Sequence, residues 1–192
     1  MIVARDRDRV DPAPVAPIKR VTLTLNPLPM IAGRYGANVE LVPLPHHALI
    51  ASAYVQTFPT WTLRMVMPSN VDLADGPKPM VGGELGYRFY SGTNGASGLF
   101  VGPSAVVMPI AYPRVRDDLK AEVVSLHAYG AALDVGAQIV TSSGFTFGGG
   151  VGVMGLAYSP PESVKPPAGV EAPKFVEPHV FPRLLLAAGY SF

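Results

Sequence analysis

The sequence predicts an all-β protein: an eight-stranded, antiparallel, up-and-down β-barrel of the transmembrane kind. Three observations predict it: composition, a period-2 alternation in eight segments, and the sorting of the connections by length. The chain of 192 residues holds 20 glycines and 21 prolines, is 48% hydrophobic and only 15% charged, and has no cysteine. So many helix breakers exclude a long-helix protein, and the apolar content excludes a disordered one. Without cysteine there is no disulfide scaffold and no thiolate-ligated metal. A formal net charge of +1 leaves no footprint for nucleic acid.

Residues 1–19, rich in charge and proline, read as a flexible periplasmic N-terminal tail, and residues 20–192 as one barrel domain. Within the domain, alternating segments run approximately over 20–28, 34–43, 48–57, 80–90, 98–109, 126–140, 145–158 and 182–192. Turn formers separate them at Pro43 to His47, at SGTNGAS (91–97) and at TSSG (141–144). The connections at 58–79, 110–125 and 159–181 are long, and the last is too proline-rich for a central strand. Antiparallel strands place successive connections at opposite ends. The long ones therefore gather at one end and the tight ones at the other, as in outer-membrane barrels with short periplasmic turns.

Each segment has one apolar phase and one small or polar phase. Val21, Leu23 and Leu25 alternate with Thr22, Thr24 and Asn26, and Ala37, Val39 and Leu41 with Gly36, Asn38 and Glu40. Charge falls on the second phase alone: Glu40, Glu84, Arg88, Asp134 and Arg183. Small residues crowd that same phase, among them Gly82, Gly86, Gly102, Ser104, Gly130, Gly148, Gly150 and Gly152. A water-facing surface would carry Lys, Glu and Thr there, whereas the narrow interior of an eight-stranded barrel needs small side chains. The polar phase is thus expected inside and the apolar phase outside, against lipid.

The aromatics agree with that inversion. Tyr87, Phe89, Phe145, Phe147, Tyr190 and Phe192 lie on the apolar phase at the tight-turn ends of their segments. They are the expected periplasmic half of an aromatic girdle. No window of 18 residues is continuously apolar, so a transmembrane helix is rejected, but a membrane strand needs only ~9–11 residues. The first residues show no apolar stretch of a secretory signal. An export signal is then expected to lie upstream of this numbering or to have been removed.

The end of the chain, LLLAAGYSF, with Phe192 last and Tyr190 two before it, resembles the C-terminal assembly signal of bacterial outer-membrane barrels. GGELGYRFYSGTNGASGLFVGPSAVV from Gly82 and RYGANVELVPLPHHALIASAYV from Arg34 resemble hairpins of a poorly characterised family of small outer-membrane barrels, with Glu40 at a recurrent inward Glu position. The resemblance covers about residues 20–192 and implies an eight-stranded barrel of the OmpA or OmpX kind in the cell outer membrane. It implies outer-membrane lipid and lipopolysaccharide as surroundings, and the barrel assembly machinery as a partner of the C-terminal strand. It implies no particular activity, because that fold hosts anchors, adhesins, pores and a few enzymes.

The five phase-sharing charges are the candidate site. Unpaired charges in a narrow barrel cost several kcal/mol, so the residues are expected to pair, either as a gate over a lumenal path or as a lock that holds the barrel shut. His46 and His47 read as turn residues, since no third metal ligand accompanies them. Ser125 and His127 share a phase near the far rim, but no acid shares it with them, and a triad needs that third group. FGGGVGVMG from Phe147 lacks the Lys and the strand-to-helix context of a phosphate loop, and reads as a strand. Trp61 reads either as an external contact or as part of a loop folded on the rim. The sequence therefore predicts a non-enzymatic barrel without cofactor or metal, with a structural or surface-interaction role. An external ligand would meet it at 58–79, 110–125 and 159–181. A narrow pore for small solutes is the second reading and a soluble lipocalin-like barrel the third, although the latter's G-x-W motif is missing.

Overall fold

The computed structural model describes residues 18–57, 59, 61, 72–73, 78–93, 95–115, 120–158 and 179–192, with backbone alone at 72–73, 111–115 and 120–125. The strands are β1 (Val21–Leu25), β2 (Arg34–Leu44), β3 (His47–Gln56), the two-residue β4 (Asp72–Leu73), β5 (Met80–Tyr90), β6 (Gly98–Val115), β7 (Lys120–Val140), β8 (Phe145–Tyr158) and β9 (His179–Ser191). The helix α1 (Pro27–Ile31) follows β1. The order β7-β6-β5-β3-β2-β1-β9-β8, with β8 pairing back onto β7, closes an eight-stranded barrel. Its ladders are all antiparallel. Strand β4 lies outside the ring and pairs in parallel with the start of β7. The expected all-β barrel of eight antiparallel strands is what the chain forms.

Besides β9 starting at His179, inside the connection expected over 159–181, four details differ from the sequence reading. The stretch 110–125, expected as a long connection, is strand: β6 continues to Val115 and pairs with β7 back to Val115↔Ala121, leaving 116–119 as the connection. Long and short connections are therefore not cleanly sorted. The far end carries a protruding hairpin rather than a third long loop. Second, β6 carries three prolines, Pro103, Pro109 and Pro113, the last of them in the stretch expected as a connection. They occupy alternate positions whose backbone polar groups point away from β7, the side on which the Leu99 carbonyl accepts from Ser91. The β5–β6 register is interrupted at Pro103 and has ended, at Gly83↔Val107, before Pro109 and Pro113. A missing N–H costs little where no ladder partner needs it.

Third, segment one ends at Leu25 instead of residue 28, because Asn26, still extended (φ −113°, ψ 98°), is the N-cap of α1 and Pro27 sets its first helical φ. Fourth, Pro43 and Leu44 belong to β2, and the tight turn is Pro45–His46 with His46 at φ 69°. Proline followed by a positive φ is the pattern of a type II turn, and it sets the β2–β3 hairpin. Residues 1–17 of the expected tail lie outside the described residues, as do most of 58–79 and all of 159–178. The last tail residue, Lys19, lies against the tight-turn end with its ammonium 5.7 Å from the Tyr190 ring centroid.

The inside–outside assignment is the inversion expected. Thr22, Thr24, Glu40, Glu84, Arg88, Ser104, Asp134, Gln138, Thr146 and Ser191 are buried, while Leu23, Leu85, Leu99, Tyr129, Ile139, Val151 and Leu184 are exposed.

One inward glycine is fixed by a close approach. Tyr54 on β3 lies across Gly82 on β5 and donates from its hydroxyl to the Val107 carbonyl on β6 at 3.0 Å. A Cβ at Gly82 would stand 2.5 Å from the Tyr54 ring and 2.6 Å from Pro109 Cδ. Gly82→Val is expected to cost about 1–3 kcal/mol of stability as overpacking. In a Tyr54→Ala background the same change should cost less. Urea midpoints of the four proteins test this, and equal costs in the two backgrounds would refute it.

Candidate functional site

The interior is built in layers from the tight-turn end. At the bottom, β1, β8 and β9 bring three hydroxyls together. Ser191 Oγ lies 2.7 Å from Thr22 Oγ1 and 2.6 Å from Thr146 Oγ1, all three fully buried. Thr146 also donates to the Gly144 carbonyl at 3.2 Å. Ser191→Ala would strand the Thr22 hydroxyl, with an expected loss of about 1–3 kcal/mol. A urea midpoint unchanged from the parent would refute that.

The next layer is the first half of the charged network. Arg88 Nη1 on β5 donates to Glu40 Oε1 on β2 at 2.6 Å, and the Tyr90 hydroxyl donates to Glu40 Oε2 at 2.7 Å. Gln138 Nε2 on β7 donates to the Ala96 carbonyl at 2.8 Å, which draws the 91–97 turn inward. Val42, Ala48, Tyr90, Ala96 and Phe100 pack there as a buried apolar cluster. The Arg88 guanidinium lies 4.5 Å from the Phe100 ring centroid. The tight-turn end is thus sealed by apolar packing as well as by the ion pair.

Above it lies the second half. Arg183 on β9 holds Glu84 with two guanidinium nitrogens at 3.0 and 3.4 Å, and its Nε stands 3.3 Å from Asp134 Oδ1. All five predicted charges are inside and paired, but Glu84 and Arg88, neighbours on one strand face, do not pair with each other. Each reaches across the barrel instead. Beside this group is a cavity of about 160 Å³, lined among others by Asn26, Arg34, Ile50, Ser52, Glu84 and Arg183. Arg34 was not singled out by the sequence reading. Its guanidinium stacks on the Tyr54 ring, 3.4 Å from the centroid. Extending the phase of Gly36, Asn38 and Glu40 back by one residue pair would have placed it inside.

Five of the six predicted girdle residues form ring contacts at the tight-turn rim. Phe145 meets Tyr190 edge-on, Tyr190 meets Phe192 at 5.0 Å, and Phe89 is met by both His46 and His47. Tyr87 pairs with His47, whose Nδ1 lies 2.5 Å from its hydroxyl. The sixth, Phe147, is exposed on the same phase. His46 is thus a turn residue, as expected, while His47 is the first residue of β3, and both join the aromatic ring. Tyr35 and Tyr129, on the outward phase toward the other end, are also exposed and were missed as a second aromatic level.

No protein-family model, curated protein or solved structure matches the chain. The remaining candidates rest on geometry alone. His127 Nε2 donates to the Val81 carbonyl at 3.1 Å, an acceptor that Pro109, lying between the two on β6, has no N–H to serve. That gives His127 a backbone partner in place of Ser125, whose side chain lies outside the described residues. Residues 147–155 are β8, as expected of a glycine-rich strand. Trp61 is exposed. Among the described residues no three His, Asp or Glu side chains converge to hold a metal ion. The helix α1 is too short to cross a membrane, which says nothing of the strands.

Proposed function

We propose that the chain is a membrane-spanning β-barrel of the bacterial outer membrane, non-enzymatic, with a structural or surface-interaction role. One observation carries this reading: the outer wall is apolar and the interior holds the buried charges. The dimensions agree with it. The outward residues of β7 run from Tyr129 to Ile139 without a charge. Ten residue steps at ~3.4 Å give ~34 Å along the strand, or ~26 Å along the axis at a tilt of about 40°. The apolar band of membrane barrels is ~25 Å tall. The aromatics at the tight-turn rim, with Tyr190 and Phe192 ending β9, support an orientation with that rim in the periplasm. They also support a role for the last strand in recognition by the assembly machinery.

The sealed tight-turn end favours a non-conducting barrel over a pore. Outer-membrane lipid and lipopolysaccharide would cover the wall. The β6–β7 hairpin and the connections around 58–79 and 159–178 would face outward and meet any surface partner. The test is folding of the urea-unfolded chain on dilution into phosphatidylcholine vesicles, read as an unheated-gel band shift and strand-type circular dichroism. Folding to a stable monomer in plain buffer would overturn the membrane reading.

A further inference from the structure

We infer that the upper half of the barrel interior is a binding site for a small amphipathic carboxylate, a chain of about six carbons with an anionic head. The head would sit on Arg34. The guanidinium is half-buried, lies flat on Tyr54, and among the described residues has no hydrogen-bond or ion-pair partner. Stacking occupies its face and leaves the N–H edge free, the edge that matches a carboxylate bidentately. Among the described residues the interior's other two arginines differ. Arg88 is committed to Glu40, and Arg183 to Glu84 and Asp134. A partly desolvated cation without an acceptor is unusual enough to ask for a ligand.

A second observation lies in the same cavity. Asn26 Oδ1 is buried without a partner. Among the described residues no hydrogen bond fixes that amide, so it can turn its NH2 toward a ligand oxygen. The lining also holds apolar side chains, Ile50, Met154 and Leu185, alongside the paired Glu84 and Arg183. A cavity of about 160 Å³ matches the ~150 Å³ apolar cavity known to take benzene. A guanidinium with a free edge and a hydrocarbon-sized space together select an organic carboxylate over a bare oxyanion.

The wall also provides an entrance. Strand β1 pairs with β9 only as far as Leu25↔Ala188, and with β2 as far as Leu25↔Ala37. Above that level α1, not a ladder, stands between β2 and β9. The cavity lining there includes Pro29 of α1 and the outward-phase Leu184 and Leu186, so the space reaches the outer face beneath the helix. This inference stands apart from the membrane reading, since it needs only the closed barrel and its interior.

The test uses the full chain, refolded in zwitterionic micelles and followed by amide and methyl NMR during titration with hexanoate, hexanol and inorganic phosphate. Hexanoate is expected to move resonances of Arg34, Asn26 and Ser52 saturably and to give direct proton contacts to the Ile50 or Met154 methyl groups. Arg34→Met should weaken it by about tenfold or more, the loss of a charge-assisted pair, with Arg34→Lys in between. Three results would overturn the proposal: no saturable interior shifts with hexanoate, equal affinity in Arg34→Met, or phosphate or hexanol binding as tightly as hexanoate. Should Arg34→Met fail to fold, the methyl contacts in the parent protein still decide, because their absence refutes the site.

Discussion

Arg88→Met is expected to destabilise the barrel by about 3–5 kcal/mol, the cost of breaking a buried ion pair from one side. Glu40 is 1% exposed and its carboxylate is held by Arg88 and Tyr90. With the guanidinium gone, one hydroxyl and a long contact from Gln138 at 3.5 Å are the only donors left to it among the described residues. Methionine fills most of the vacated volume, so the loss reports charge rather than cavity. Adding Glu40→Gln should restore most of the stability, since no unpaired charge then remains inside. Urea midpoints of the two single variants and the double variant measure the coupling. A single-variant loss below about 1 kcal/mol, the range of exposed pairs, would show that water reaches Glu40.

The same variants separate a lock from a gate. The seal beneath the pair includes Tyr90, Ala96 and Phe100, and none of these depends on the Arg88 charge to fill its space. Planar-bilayer recordings of Arg88→Met are therefore expected to show no steady conductance. Opening of a defined channel in that variant, with stability kept, would favour the gate.

Much of this was legible because a barrel strand writes its two faces into alternate residues. Once Glu40, Glu84, Arg88, Asp134 and Arg183 share a phase, their placement inside needs no knowledge of strand order. Which of them meet is a different matter. Glu84 and Arg88 are neighbours on one strand, yet the partners are Glu40 for Arg88 and Arg183 for Glu84. That choice depends on the stagger between strands, including ones far apart in sequence, such as Thr24↔Gly189 and Gly152↔Arg183. Local pattern does not encode the stagger. The β6–β7 hairpin was misjudged for a related reason. Pro109 and Pro113 look like strand breakers, but they cost little beyond the end of the β5–β6 ladder, where His127 serves the Val81 carbonyl opposite Pro109. Arg34 escaped notice because it opens β2, at the margin of the alternating run.

Leu85→Arg offers the most direct trial of the membrane reading. Leu85 is 69% exposed at the middle of β5, and its cross-strand neighbours are Ala51 and Ala105. Those small side chains give an arginine neither a partner nor a clash, so its cost reports the medium outside the wall. If that medium is the hydrocarbon core of a bilayer, the expected loss is about 2–4 kcal/mol. If it is water, a surface substitution stays within about ±0.5 kcal/mol. Leu99→Arg is the depth control, because Leu99 is 68% exposed but sits at the tight-turn rim, paired with Ala137 beyond the level of Phe89↔Val101. At an interface the same charge should cost about 0–1 kcal/mol. Urea titrations of both variants folded in phosphatidylcholine vesicles give the comparison. Leu85→Arg falling well below Leu99→Arg in stability is the signature of a wall that lipid touches most deeply at its centre, and equal costs at the two depths would remove lipid from the account.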